Sequence, residues 1–125
     1  MTDIAGSSQW FTEGFVTYSN AAKARSLGVP RAILERHGAV SEAVARAMAV
    51  GALQRSDAQI AVAVTGIAGP GGAVPGKPVG TVWLAWAVQR GKKVQVTAVL
   101  KHFRGDREMI RRKTVRTAIA GLLAR

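Results

Sequence analysis

Two groups of residues in this chain are of the types that carry out chemistry. The first is Tyr18 with Lys23, in the stretch "GFVTYSNAAKARSLGVP" from Gly14 to Pro30. A neutral lysine is a base, and a phenol beside it relays or positions a proton. Neutrality near pH 7 requires burial or a nearby positive charge, since both disfavour the ammonium. Ala21, Ala22 and Ala24 are small and apolar and permit such burial. On residue type alone, the commoner reading of Lys23 is a solvated surface lysine.

The second group is the loop Thr65-Gly66-Ile67-Ala68-Gly69-Pro70, continuing into Gly71 and Gly72. Glycines at the end of a strand let backbone N–H groups approach a bound group closely and form an anion-holding nest. The alternative is a tight turn that needs positive φ. The same loop holds a decoy. Gly71 to Lys77, "GGAVPGK", fits the first seven positions of a phosphate-binding P-loop. Pro78 stands where the Mg²⁺-binding hydroxyl belongs and a strand follows in place of a helix, so nucleoside triphosphate hydrolysis is rejected. His37 and His102 have no Asp or Glu at ligand spacing, and no metal site is expected. Arg107 follows Asp106, which reads as a helix N-cap; Arg107 is either the neighbour of that cap or an anion binder.

These groups must be held by the elements around them. Phe15 to Tyr18 reads as a short strand. "VPRAILERHG" reads as a short helix, with Pro30 near its first turn and Gly38 as its stop. Ser41 caps a second helix over Glu42 to Gln54, with Val44, Ala47, Met48 and Ala52 on its apolar face. "QIAVAVT", Gln59 to Thr65, is nearly continuous in apolar residues, which predicts a strand buried on both faces in a parallel sheet. "VGTVWLAWAVQ" and "VQVTAVLKHF" flank Arg90-Gly91-Lys92-Lys93 as a β-hairpin. The last segment forms a helix after Asp106, keeping Ile110, Val115, Ala118, Ile119 and Leu122 on one side. The expected fold is a layered α/β single domain with a mixed, partly parallel sheet flanked by helices.

Composition narrows the classes further. The chain has 125 residues, 48% of them hydrophobic, which suits one domain with a proper core. The absence of cysteine excludes disulfides and thiolate chemistry. No apolar run approaches a membrane span and "MTDIAGSSQW" lacks the pattern of a signal peptide, so a cytoplasmic protein without a membrane partner is expected. The net charge of +11 is uneven: residues 90–125 hold eleven basic and two acidic side chains. That cluster suits a nucleic acid or another polyanion, or else it is a solvated helix face. Phe103 is its single aromatic, thin provision for base stacking.

"TYSNAAKARSLGVP", "ERHGAVSEAVARAMAVGAL", "AVAVTGIAGPGG", "KPVGTVWLAW" and "FRGDREMIRRKTV" together resemble the C-terminal domain of the CinA (competence/damage-inducible protein) family, from about Thr2 to Leu123. Tyr18-Ser19-Asn20 with Lys23, and Thr65 to Gly72, are the most specific parts. The resemblance implies the activity of the stand-alone members, nicotinamide-nucleotide amidohydrolases. Nicotinamide mononucleotide loses its carboxamide nitrogen as ammonia and becomes nicotinic acid mononucleotide, with water as co-substrate and no metal or cofactor.

It also implies roles. Lys23 is the general base or proton shuttle and Tyr18 a relay. Asn20, Arg107 and the loop residues Thr65, Gly66, Ile67, Ala68, Gly69, Pro70, Gly71 and Gly72 bind the nucleotide, with backbone donors on the oxyanion or phosphate. Self-association is implied as well. The expected geometry has Lys23 buried, its ammonium toward the Thr65–Gly72 loop and the Tyr18 hydroxyl nearby. Replacing it with methionine is then expected to leave stability unchanged or raised.

One feature of the family is missing. Its nucleophilic serine lies in a T-A-E-S-x-T-G-G segment that these 125 residues do not contain, and Ser7 and Ser8 match other family positions. On the resemblance, the family's first strand and helix are absent, and the alternative to an enzyme is an inactive nucleotide- or polyanion-binding module of the same fold.

Overall fold

A computed structural model describes all residues from 1 to 125. After a 3-10 turn at Ser7–Gln9, the elements are α1 (Asn20–Leu27), α2 (Arg31–His37), α3 (Glu42–Gln54), β1 (Ile60–Gly66), β2 (Thr81–Arg90), β3 (Lys93–His102) and α4 (Arg107–Leu123). Local chemistry sets most of the helix ends. The hydroxyls of Ser19 and Ser41 and the carboxylate of Asp106 each accept from a backbone N–H three residues on. Gly28, at φ 69°, closes α1 in the left-handed conformation.

The three strands lie in the order β1-β2-β3, and both pairings are antiparallel, with Thr65 opposite Trp83 and Ala85 opposite Ala98. The fold is α/β as expected, but its sheet is not partly parallel. Two causes account for the difference. Phe15 to Tyr18 joins no ladder, so the expected first strand does not form. The apolar run before Thr65 is an edge strand, β1, with Val64 42% exposed. Its near-continuous hydrophobicity reflects helices on both faces of the sheet, a burden that falls on antiparallel strands equally.

Alternation along β2 divides the core in two. Ala85 and Ala87 face a cluster with Val44, Ala45, Met48 and Ala49 of α3. Val82, Leu84 and Trp86 face Ile110 and Ala118 of α4. The indole of Trp86 donates to the Ala118 carbonyl at 3.1 Å. Gly121 supplies the space for its ring, since a Cβ there would overlap it. The inner line of α4 therefore runs through Ile110, Ala118 and Gly121, and Val115 and Ile119, expected inside, are exposed. Thr114 and Thr117 take half-buried places instead, each returning its hydroxyl to the carbonyl four residues back.

Candidate functional site

Lys23 sits in the middle of α1, and α1 is seated against α3 by a missing side chain. A Cβ on Gly51 would overlap the Leu27 carbonyl oxygen, so only glycine allows the end of α1 to lie so close. Lys23 is 7% exposed. Its Nζ donates to the Thr17 carbonyl at 2.8 Å and to the Tyr18 carbonyl at 3.4 Å. No carboxylate attends it: the two ion pairs of the fold, Arg46 with Glu42 and Arg112 with Glu108, lie elsewhere. Burial pulls its pKa below the ordinary lysine value, because the ammonium has lost water without gaining a counter-charge.

Tyr18 is placed differently from the expectation. It meets Lys23 through its backbone carbonyl, while its side chain is 89% exposed and its hydroxyl makes no hydrogen bond to Lys23. Thr17, buried between exposed neighbours, is the residue that sequence reasoning missed. Burial alternates here, with Phe15 half-buried, Val16 exposed, Thr17 buried and Tyr18 exposed, but hydrophobicity does not follow it, so the sequence carried no signal for Thr17. Asn20 opens α1 with an exposed side chain.

The loop after β1 has a fixed neck. Ile67 N donates to Thr81 O at 2.9 Å, and Gly80 N donates to Ile67 O at 2.7 Å. The Thr65 hydroxyl is buried and donates to Ala39 O at 2.8 Å, tying the end of β1 to the turn between α2 and α3. Beyond the neck, the N–H groups of Ala68, Gly69, Gly71, Gly72 and Ala73 have no acceptor within the protein. Gly69 and Gly72 hold positive φ, 80° and 93°, which a nest and a tight turn both use. Arg107 reaches this loop from the first turn of α4 and donates from Nη1 to Gly69 O at 2.9 Å.

The structure thus brings Lys23 to Thr17 and Tyr18, and Arg107 to Gly69. No hydrogen bond joins the two groups, and α3 packs against the carrier of each, α1 and β1. A cavity of about 550 Å³ lies along α1, α3 and β3 beside Leu27, Arg46 and Arg55 and includes none of the candidate residues. No three His, Cys, Asp or Glu side chains cluster anywhere in the fold.

Arg107→Met removes a partly buried, charge-assisted bond to Gly69 and is expected to lower stability by about 1 kcal/mol. A urea titration checks this, and an unchanged midpoint means that water replaces the guanidinium without loss.

A three-stranded α/β domain with a buried, unpaired lysine and a glycine loop at a strand end narrows the class. The profile of the CinA C-terminal domain family matches residues 1–125. The nicotinamide-nucleotide amidohydrolase PncC of Pseudomonas putida is 53% identical over 123 residues, which are 98% of this chain and 74% of that protein. A CinA-like protein of Akkermansia muciniphila is 54% identical over 123 residues, again 98% of this chain but 29% of the relative. Among solved structures, the competence/damage inducible protein CihA from Agrobacterium tumefaciens superposes with a TM-score of 0.90 at 50% identity, covering 98% of this chain and 73% of that one. This chain belongs to the CinA C-terminal domain family.

Proposed function

We propose that this chain carries the proton-transfer and anion-binding parts of a nicotinamide-nucleotide amidohydrolase site. The observation that carries the reading is Lys23, a buried lysine without a carboxylate whose burial favours the neutral form. The name of the Pseudomonas putida relative supplies the substrate class. The reaction is a net hydrolysis: the carboxamide carbon gains an oxygen from water and its C–N bond breaks. Neutral Lys23 takes the proton of the attacking hydroxyl and passes it to the departing nitrogen, which leaves as ammonia, and water then cleaves the ester so formed, giving the carboxylate and restoring the hydroxyl. The free loop amides hold the tetrahedral oxyanion or the phosphate of the nucleotide.

No hydroxyl of the chain is hydrogen-bonded to Lys23 Nζ. The reading therefore assigns the attacking serine to the family's T-A-E-S-x-T-G-G segment. The test is calorimetry with nicotinamide mononucleotide, alongside measurement of ammonia. Binding is expected with ammonia at background for the 125 residues, and release once that segment is supplied. Absence of binding by either form overturns the reading.

A second reading, an inactive polyanion-binding module, is favoured by Arg111, Arg112 and Arg116, all exposed on α4, of which Arg112 alone has an acidic partner. It predicts a gel shift that fades steeply with salt, and no shift at low salt removes it. Self-association accompanies either reading, through the exposed Val115, Ile119 and Leu123 spaced by four along α4.

A further inference from the structure

The tip of the glycine loop hangs on one lysine. Residues 70–77 make two hydrogen bonds among themselves, Val74 N to Lys77 O at 3.2 Å and Lys77 N to Val74 O at 2.9 Å. These close a small hairpin around Pro75-Gly76. Gly76 is at φ 79°, the pattern of a Pro-Gly type II turn, so the tip is a body that shapes itself. It has one hydrogen bond to the remainder of the chain, from Lys77 Nζ to the His37 carbonyl at the end of α2, at 2.8 Å.

The receiving side is built for this contact. Gly38 holds φ 75°, which itself calls for glycine, and a Cβ there would lie 3.3 Å from Lys77 Nζ, a tight but movable contact. The α2–α3 turn that receives Lys77 is itself secured. Thr65 donates to Ala39 O and Ser41 donates to Gly38 O, each at 2.8 Å. Lys77 supplied the lysine of the apparent P-loop match, yet its ammonium is spent on a backbone carbonyl. On the other limb of the loop, Arg107 holds Gly69. Between these two attachment points in sequence lie the free amides of Gly71, Gly72 and Ala73.

We propose that Lys77 is a positioning residue for the loop: with Arg107 it clamps both limbs, so that the free amides are ordered before an anion arrives. The link to a nucleotide rests on the functional reading above. The clamp itself rests on the hydrogen bonds. Fixing a residue's backbone costs on the order of 1–2 kcal/mol, and a loop ordered in advance is spared that cost when its ligand binds.

The experiment compares Lys77→Met, Lys77→Arg and a charge control, Lys92→Met in the β2–β3 turn, in the full chain. Backbone ¹⁵N relaxation of residues 71–76 is read first. In Lys77→Met the order parameters are expected to fall from the rigid range, about 0.85, below about 0.6, while Lys77→Arg and Lys92→Met keep the wild-type values. Titration with nicotinamide mononucleotide is read second. Lys77→Met is expected to weaken binding about three- to tenfold, Lys77→Arg to restore it and Lys92→Met to leave it unchanged. Unchanged order parameters in Lys77→Met overturn the clamp. A looser tip with wild-type affinity overturns its role in binding. Failure of the wild-type chain to bind the nucleotide sinks the functional reading, while the relaxation data still decide the clamp.

Discussion

Gly51→Ala is expected to destabilise the domain by about 3 kcal/mol, the upper end of what overpacking a core costs. Two effects oppose each other. Alanine is the better helix former by about 1 kcal/mol, which favours the variant within α3. Against this, the new Cβ overlaps the carbonyl oxygen of Leu27. Leu27 and Val29 are buried on one side, and Ala45 and Ala49 of α3 have no exposed surface on the other. A backbone atom cannot rotate away as a side-chain end can, so the overlap wins. Relief comes only by moving α1, and with it Lys23 relative to Thr17. Gly71→Ala is the contrast, since a Cβ there meets nothing and its φ is not positive. It should be neutral or slightly stabilising, by up to about 1 kcal/mol. Urea titrations of the two variants decide the matter: equal midpoints mean that the close seat of α1 is not what holds it.

Features that depend on neighbouring residues were legible without coordinates. Ser41 and Asp106 cap the helices they were expected to cap, and the hairpin turns at Gly91 between β2 and β3. Strand direction was not legible. An apolar run records that both faces are covered and says nothing of the partner's orientation, so Gln59 to Thr65 suited a parallel sheet as well as the antiparallel one it joins. Phe15 to Tyr18 has the β-prone residues of a strand, but a strand also needs a ladder partner, and that is a property of the whole fold. On α4, Val115 looked inward by hydrophobicity, whereas the fit of Gly121 to Trp86 sets the inward line.

At the site, the small neighbours of Lys23 signalled that burial was permitted. Its acceptors are backbone carbonyls, which have no sequence signature, and the distances to Thr17 and Tyr18 appear only once the chain folds back. The partner of the Thr65 hydroxyl, Ala39, lies 26 residues away and was equally hidden.

Those acceptors change the outcome expected for Lys23→Met. Without them, exchanging an unpaired buried ammonium for a thioether of similar length leaves stability unchanged or raised. With them, the variant strands the Thr17 carbonyl in a buried position, and an unsatisfied buried polar group costs about 1–3 kcal/mol. Relief from burying the charge offsets part of this, so a net loss of about 1 kcal/mol at pH 7 is expected. The pH dependence separates the two contributions. Burial lowers the folded-state pKa of Lys23 beneath 10.5, its unfolded value. Between the two values the unfolded chain binds more protons, so wild-type stability rises with pH across that window and is least below it. Neutral Lys23 still donates to both carbonyls, whereas methionine neither titrates nor donates. The gap between wild type and variant should therefore widen from pH 7 toward pH 10 in urea titrations. A constant gap means that burial does not shift the Lys23 pKa, and a more stable variant at pH 7 means that the two Nζ bonds contribute less than burying the charge costs. In the form supplied with the family's serine segment, the same substitution removes the base. Ammonia release is expected to fall about 10²- to 10⁴-fold with little change in nucleotide affinity. A variant that retains its rate places the base elsewhere.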